Sequence, residues 1–400
     1  MKNYTNFDFH MYTEIVFGKG TETRVAELIQ KYGGKKVMMV YGGGTIKKIG
    51  LYDTVVKTLN DAGIPFIELG GVQPNPRRSL VEKGLKIAKE EGVDFLLGVG
   101  GGSSIDTAKA IALGLANEDN YWQFYNGTPV QKMFPVGAIH TISAAGSETS
   151  VSSVLVDDLE TGRKQGFMST PARPMFAIMN PELTYTVSPY QTGSGAADIF
   201  AHTAMRYFAV GSSHLGDEFG EAVLRTVVKY GPIAVKEPNN YEARAELMMS
   251  GSFSHNDLTG IGRGSLSKGG EHGLESQLSG HYDTAHGAGL AAVMPSWLQY
   301  IADNGTPEQL ERVARFGVKV FGADPDMEDI KATADDGLER FRAWVKSIGM
   351  PLTLKELGIP KEDLNAVVDR CLAANGGSRV AGYMALDKDA VMAIFSSIVE

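Results

Sequence analysis

Asp198 and His202 stand four residues apart in Gly195-Ala196-Ala197-Asp198-Ile199-Phe200-Ala201-His202. On a helix that spacing sets a carboxylate beside an imidazole, with Cβ atoms roughly 5–6 Å apart, so one divalent cation can bridge both. The same spacing also makes an ordinary Asp–His hydrogen bond on a helix surface, and the pair alone does not decide between them. Three more histidines, His272, His281 and His286, follow in the glycine-rich stretch Gly269 to Gly289. One straight helix would hold His272 and His286 about 21 Å apart. Sharing an ion therefore requires a break between them, and Gly280 offers a place for it. Three or four Asp and His ligands with one position left open suit Zn2+ or Fe2+. His10, His140, His214 and His255 have no comparable company and read as structural or surface histidines.

A second constellation is built from glycine. Gly42-Gly43-Gly44 follows the apolar run Val37 to Tyr41, and Gly100-Gly101-Gly102-Ser103 follows Phe95 to Val99. Each leads into a helical pattern. Without Cβ atoms the backbone N–H groups can approach a diphosphate, and a helix N-terminus adds partial positive charge. Ser103 and Asp106 have near capping-box spacing. Neither turn has the G-x-G-x-x-G pattern and no G-K-[ST] follows. Either turn alone reads equally well as a tight turn, whereas two at successive strand ends favour a phosphate cradle. Thr141 to Glu148, rich in hydroxyl and small side chains, follows another apolar run and can line the same cleft.

The elements that must position these groups change character along the chain. Short apolar runs at Val37 to Tyr41, Phe66 to Leu69, Phe95 to Val99, Val136 to Ile139 and Phe176 to Met179 alternate with amphipathic segments, the pattern of a doubly covered parallel sheet. Between the second and third, Arg78 to Glu91 has a helical period that Gly92 stops. After about Thr186 the strand signals end. Leu215 to Val235, Tyr241 to Leu258, Pro307 to Phe321 and Leu338 to Ser347 read as helices. The expected architecture is an α/β Rossmann-like dinucleotide-binding domain over residues 1–185 and an all-helical metal-binding and substrate domain over 186–400. The active site is expected in the cleft between them, at the carboxyl ends of the strands.

Composition narrows the partners. In 400 residues, 43% hydrophobic and 21% charged side chains are those of a globular protein. No apolar run is long enough to span a bilayer. A net charge of −9 without a basic block argues against nucleic acid and anionic membranes. Met1 to Gly20 has Asp8 and Glu14 among its apolar residues and no basic leader, and Cys371 is the only cysteine, so a cytoplasmic protein is expected.

Taken together, Phe17-Gly18-Lys19-Gly20, Tyr41 to Lys48, Pro74-Asn75-Pro76, Gly100 to Asp106, Gly146-Ser147-Glu148, Asp198 to His202 and the His272 to His286 segment resemble the iron-containing alcohol dehydrogenase family. The likeness runs along nearly the whole chain, with the butanol dehydrogenase and aldehyde reductase branch nearest. It implies a dehydroquinate synthase-like fold with one divalent metal, Fe2+ or Zn2+, held by Asp198, His202, His272 and His286. It implies that Gly101, Gly102, Ser103 and Asp106 hold the diphosphate, with Thr141, Ser143 and Lys164 along the cofactor and Asn75 near its adenosine half. Direct hydride transfer between the nicotinamide and a small primary alcohol or aldehyde follows from the same resemblance, the metal polarising the substrate oxygen.

Two departures from the family stand out. A histidine common four residues after the third ligand is Ser276 here, which leaves His281 as a substitute proton relay. A threonine common before Gly-Ser-Glu is Ala145. NADP(H) is expected in preference to NAD(H), because Gly42, Gly43, Gly44 and Thr45 leave room for a 2′-phosphate, no acid follows until Asp53, and Lys47 or Lys48 can offset its charge. Related synthases and dehydrogenases of larger or phosphorylated substrates would want a basic pocket, and apart from Arg263 and Lys268 the glycine-rich site region offers few cations. A nucleotide-binding protein without chemistry would not need the Asp and His set. Phe7 to Phe17 reads as an edge strand able to pair across a homodimer.

Overall fold

The computed structural model describes residues 4–117, 120–263 and 270–400. Lys268 and Gly269, named above, lie outside them. Two compact units emerge: His10–Thr186, and Val187–Glu400 together with the segment up to Phe9.

The first unit contains β1 (Glu14–Phe17), β2 (Val37–Tyr41), β3 (Phe66–Leu69), β4 (Phe95–Gly100), β5 (Val136–His140), β6 (Ser152–Val156), β7 (Lys164–Met168) and β8 (Phe176–Met179). Six of them form a parallel sheet in the order β1-β8-β5-β4-β2-β3. Side chains alternate across each strand, so Met38 and Val40 enter one core while Val37, Met39 and Tyr41 enter another. Burial on both faces explains why these strands read as unbroken apolar runs. From β2 the chain moves outward to β3 and returns to β4 on the opposite side. The order therefore reverses between β2 and β4, where an open α/β sheet binds ligands.

The pair β6–β7 is antiparallel and lies outside this sheet. Sequence reading missed it, since Ser152-Ser153 and Lys164-Gln165-Gly166 carry no apolar alternation. The Gly102–Ala116 helix holds it instead: Asp106 Oδ2 accepts from Val154 N–H at 3.1 Å, and Ser153 Oγ donates to the Asp106 carbonyl at 3.1 Å.

No strand occurs among the described residues of the second unit. Its helices include Pro189–Tyr207, His214–Lys236, Tyr241–Ser254, Gly270–Tyr282, His286–Asn304, Pro307–Phe321 and Ile330–Ser347. The first begins where Ser188 accepts from Gln191 N–H at 3.2 Å with Pro189 in its first turn. Phe200, on this helix, stacks on Phe341 at 4.9 Å within the unit's core. Burial of such a side chain stabilises the fold by about 1.5–3 kcal/mol, which fixes the rotation of the helix and hence the direction of Asp198 and His202. No described helix is long and apolar enough to cross a membrane.

Candidate metal centre and cofactor cradle

One donor atom from each of Asp198, His202, His272 and His286 falls within 4.8 Å of every other. His202 Nε2 lies 3.4 Å and His286 Nε2 3.8 Å from Asp198 Oδ1. The His272 ring stands 4.7 Å from that of His202 and 5.4 Å from that of His286. Asp198 and His202 come from one buried helix face. His272 comes from Gly270–Tyr282 and His286 is the first residue of His286–Asn304. The break anticipated at Gly280 falls three residues later, at Asp283, whose φ of 53° lies in the left-handed region and turns the chain before Ala285 caps the next helix.

Close helix contact completes the convergence. A Cβ at Gly287 would overlap the Ser194 carbonyl oxygen, so only glycine lets the His286–Asn304 helix start against Pro189–Tyr207. His286 is thereby brought beside Asp198, one turn after Ser194.

The histidine rings are held from behind. His272 Nδ1 is 3.0 Å from Glu271 Oε1, and His286 Nδ1 pairs with Glu275 Oε2. Both carboxylates are fully buried. The second nitrogen of His272 has no hydrogen-bond partner among the described residues. His202 is held differently, its ring stacked on His255 at 4.2 Å. Burial, followed by the neighbouring His255 and His272, keeps the His202 imidazole well below its ordinary pKa and hence neutral. One carboxylate and three imidazoles are an N/O donor set that fits Zn2+ or Fe2+.

Glu271, Glu275 and His255 escaped the sequence reading. A Glu next to His272 and another one turn later was the available signal. His281 is not brought to the cluster: it is exposed, roughly half a turn round the helix from His272, with its ring against Tyr282 at 4.8 Å. Ser276 accepts from Gln277 Nε2 at 3.4 Å.

The two glycine turns end adjacent strands, Tyr41 pairing with Val99 across β2 and β4. Gly100 has φ 149°, open only to glycine, and a Cβ at Gly102 would come within 3.0 Å of Ser147 Oγ. No side chain caps the N-terminus of the Gly102–Ala116 helix. That uncapped first turn fits a diphosphate. Thr141 is tied to it through its N–H to the Gly100 carbonyl at 3.0 Å, and Ser143 Oγ is buried with no hydrogen-bond partner among the described residues. Burial pushes the Asp106 carboxyl above its usual range.

The Gly42–Gly44 turn is different. It leads only into the four-residue helix Thr45–Lys48, so helix-dipole support there is slight. Thr45, Lys47 and Lys48 are exposed, and Lys47 sits over the Tyr52 ring at 4.5 Å, which leaves Lys48 the less engaged of the two lysines. Farther along, Lys164 Nζ donates to Asn75 Oδ1 at 3.2 Å, joining residues 89 positions apart, and Asn75 itself has φ 53°.

Residues 13–181 match the family model described as iron-containing alcohol dehydrogenase, and residues 192–399 match the C-terminal model of the Fe-containing alcohol dehydrogenase family. The chain is 37% identical over 392 residues to NADH-dependent butanol dehydrogenase A of Clostridium acetobutylicum, covering 98% of each. It is 32% identical to the NADPH-dependent aldehyde reductase of Escherichia coli, covering 91% of this chain and 92% of that one. The crystal structure of NADH-dependent butanol dehydrogenase A from Thermotoga maritima superposes with a TM-score of 0.92 at 36% identity, covering the whole of both chains.

Proposed function

The chain belongs to the iron-containing alcohol dehydrogenase family, and from that premise we propose how it acts as a metal-dependent, NAD(P)-linked oxidoreductase of alcohols and aldehydes. The observation that carries the reading is the convergence of Asp198, His202, His272 and His286 on one point. When bound, a divalent ion there supplies Lewis-acid polarisation of an alcohol or aldehyde oxygen, and the nicotinamide gives or takes the hydride. Asp198 contributes a carboxylate oxygen to the donor set, and the three imidazoles contribute nitrogen. Backbone N–H groups at Gly101, Gly102 and Ser103 hold the diphosphate, Thr141 and Ser143 offer hydroxyls along the cofactor, and the Asn75–Lys164 pair holds its adenosine half. Asp106 keeps the β6–β7 pair, and with it Lys164, against the Gly102–Ala116 helix.

Small, uncharged, butanol-sized substrates suit this chain. Arg263, the cation that a phosphorylated substrate would call on, is committed to the carbonyls of Ala209 at 3.1 Å and Gly211 at 3.0 Å and to Asp217. The preference for NADPH over NADH rests on the Gly42–Gly44 turn, which itself carries no carboxylate and is followed by the exposed Lys48, while the carboxylate of Glu68 is engaged by the Tyr41 and Tyr52 hydroxyls at 2.7 and 2.8 Å. A specific observation favours NADH instead, since both butanol dehydrogenases named above are NADH-dependent by description. The ratio of kcat/KM for the two cofactors, measured with butanal on metal-loaded protein, decides between them. Reduction of butanal at a rate above that of a phosphorylated aldehyde tests the substrate class.

A homodimer fits the sheet edge. The edge strand expected over Phe7 to Phe17 is confined to Glu14–Phe17, which among the described residues has a strand neighbour on one side only, and Met11, Tyr12 and Phe17 are exposed. A lone, buried, reduced Cys371 accords with the cytoplasm.

A further inference from the structure

Glu271 and Glu275 occupy one face of the Gly270–Tyr282 helix, one turn apart, and both are fully buried. Like charges at that spacing oppose helix formation, and a buried carboxylate is costly without compensation. Each carboxylate has an imidazole nitrogen as its partner, His272 Nδ1 at 3.0 Å and His286 Nδ1 respectively. On the far side of the rings, His286 Nε2 lies 3.8 Å from Asp198 Oδ1, and His272 Nε2 is buried with no hydrogen-bond partner among the described residues. Gly289 makes room for the second pair, because a Cβ there would stand 2.7 Å from Glu275 Oε1.

We propose that Glu271 and Glu275 are positioning residues of the metal centre, which set the tautomer and orientation of His272 and His286; this rests on the metal reading above. Each carboxylate accepts the Nδ1 proton and so leaves the Nε2 lone pair facing Asp198. The negative charge behind each ring makes that nitrogen a better donor, and a divalent charge on the far side offsets two buried carboxylates that are otherwise costly to keep. His202 has the His255 ring behind it instead of an acid. The centre thus has two carboxylate-backed histidines and one stacked histidine.

The test compares wild type with Glu271→Gln, Glu275→Gln and the double variant, each stripped of metal and titrated with Co2+ against a competing chelator, with the visible Co2+ spectrum as a second readout. Glutamine keeps the shape and one acceptor but removes the charge. Each single change is expected to weaken Co2+ binding by about 10- to 100-fold and to alter the spectrum, while metal-free unfolding stays cooperative. Single variants that bind Co2+ within about threefold of wild type overturn the proposal, whatever their unfolding temperature, because a merely structural role changes stability and not affinity. If a variant fails to fold, 15N spectra of the eight histidines in metal-free wild type still decide the matter. His272 and His286 must carry the proton on Nδ1, and an Nε2–H tautomer at both overturns it. Wild type that takes up no ion would instead sink the metal reading itself.

Discussion

Gly287 packs directly on the Ser194 carbonyl, with no space between them for a single methyl group. The contact joins the start of the helix that presents His286 to the helix that carries Asp198 and His202. Gly287→Ala should therefore destabilise the protein by about 1–3 kcal/mol, since the two helices must part to admit the methyl group. It should also weaken metal binding, because His286 moves with its helix. Gly43→Ala is the control: a Cβ there meets nothing within 4 Å, and stability should change by less than about 0.5 kcal/mol. Equal unfolding midpoints for the two variants would refute this account of the convergence.

The cofactor turn carries a second expectation. A carboxylate introduced by Gly42→Asp faces the adenosine end, where it repels a 2′-phosphate and can hydrogen-bond a free ribose hydroxyl. Its Cβ would lie 3.2 Å from the Val72 carbonyl, which a shift of a few tenths of an ångström relieves. The kcat/KM with NADPH should fall by about 10- to 100-fold more than that with NADH. Parallel losses with both cofactors would remove the turn from cofactor selection.

Cys371 has its thiol pushed up to about 12, by burial first and then by the nearby Glu275 charge. Its Sγ donates to the Leu274 carbonyl at 3.2 Å on the helix that carries His272. At pH 8 the folded protein should resist thiol reagents and react only as it unfolds, since the thiolate is the reactive form. Rapid labelling of the native enzyme without loss of structure would contradict that environment.

Much of this was legible in the sequence because the signals were local. Val37 to Tyr41 and Phe95 to Val99 are apolar at every position, as strands buried on both faces must be, and Gly92 marks the end of the helix before it. Asp198 and His202 report their shared face by spacing alone. What stayed hidden depends on tertiary partners. A Glu beside a His reads as solvated surface until another helix covers it, so the spacing of Glu271 and Glu275 from His272 does not by itself mark them. His255 is placed by tertiary contact, stacking on His202, which lies 53 positions earlier. The β6–β7 pair buries only Leu155 and Phe167 in a hydrophobic core and is otherwise tied to Asp106 through backbone and hydroxyl groups, which leaves a weak hydrophobic period. The turn at Asp283 needs a left-handed residue, and Gly280 was the more visible candidate.

The most direct test of the central claim is the metal content of the purified chain, measured alongside its nicotinamide-linked reduction of butanal. One divalent ion per chain is expected, chelation should abolish turnover, and Fe2+ or Zn2+ should restore it. His202→Ala and His286→Ala should each hold no ion while remaining folded. A metal-free sample that reduces butanal at the full rate would contradict the account.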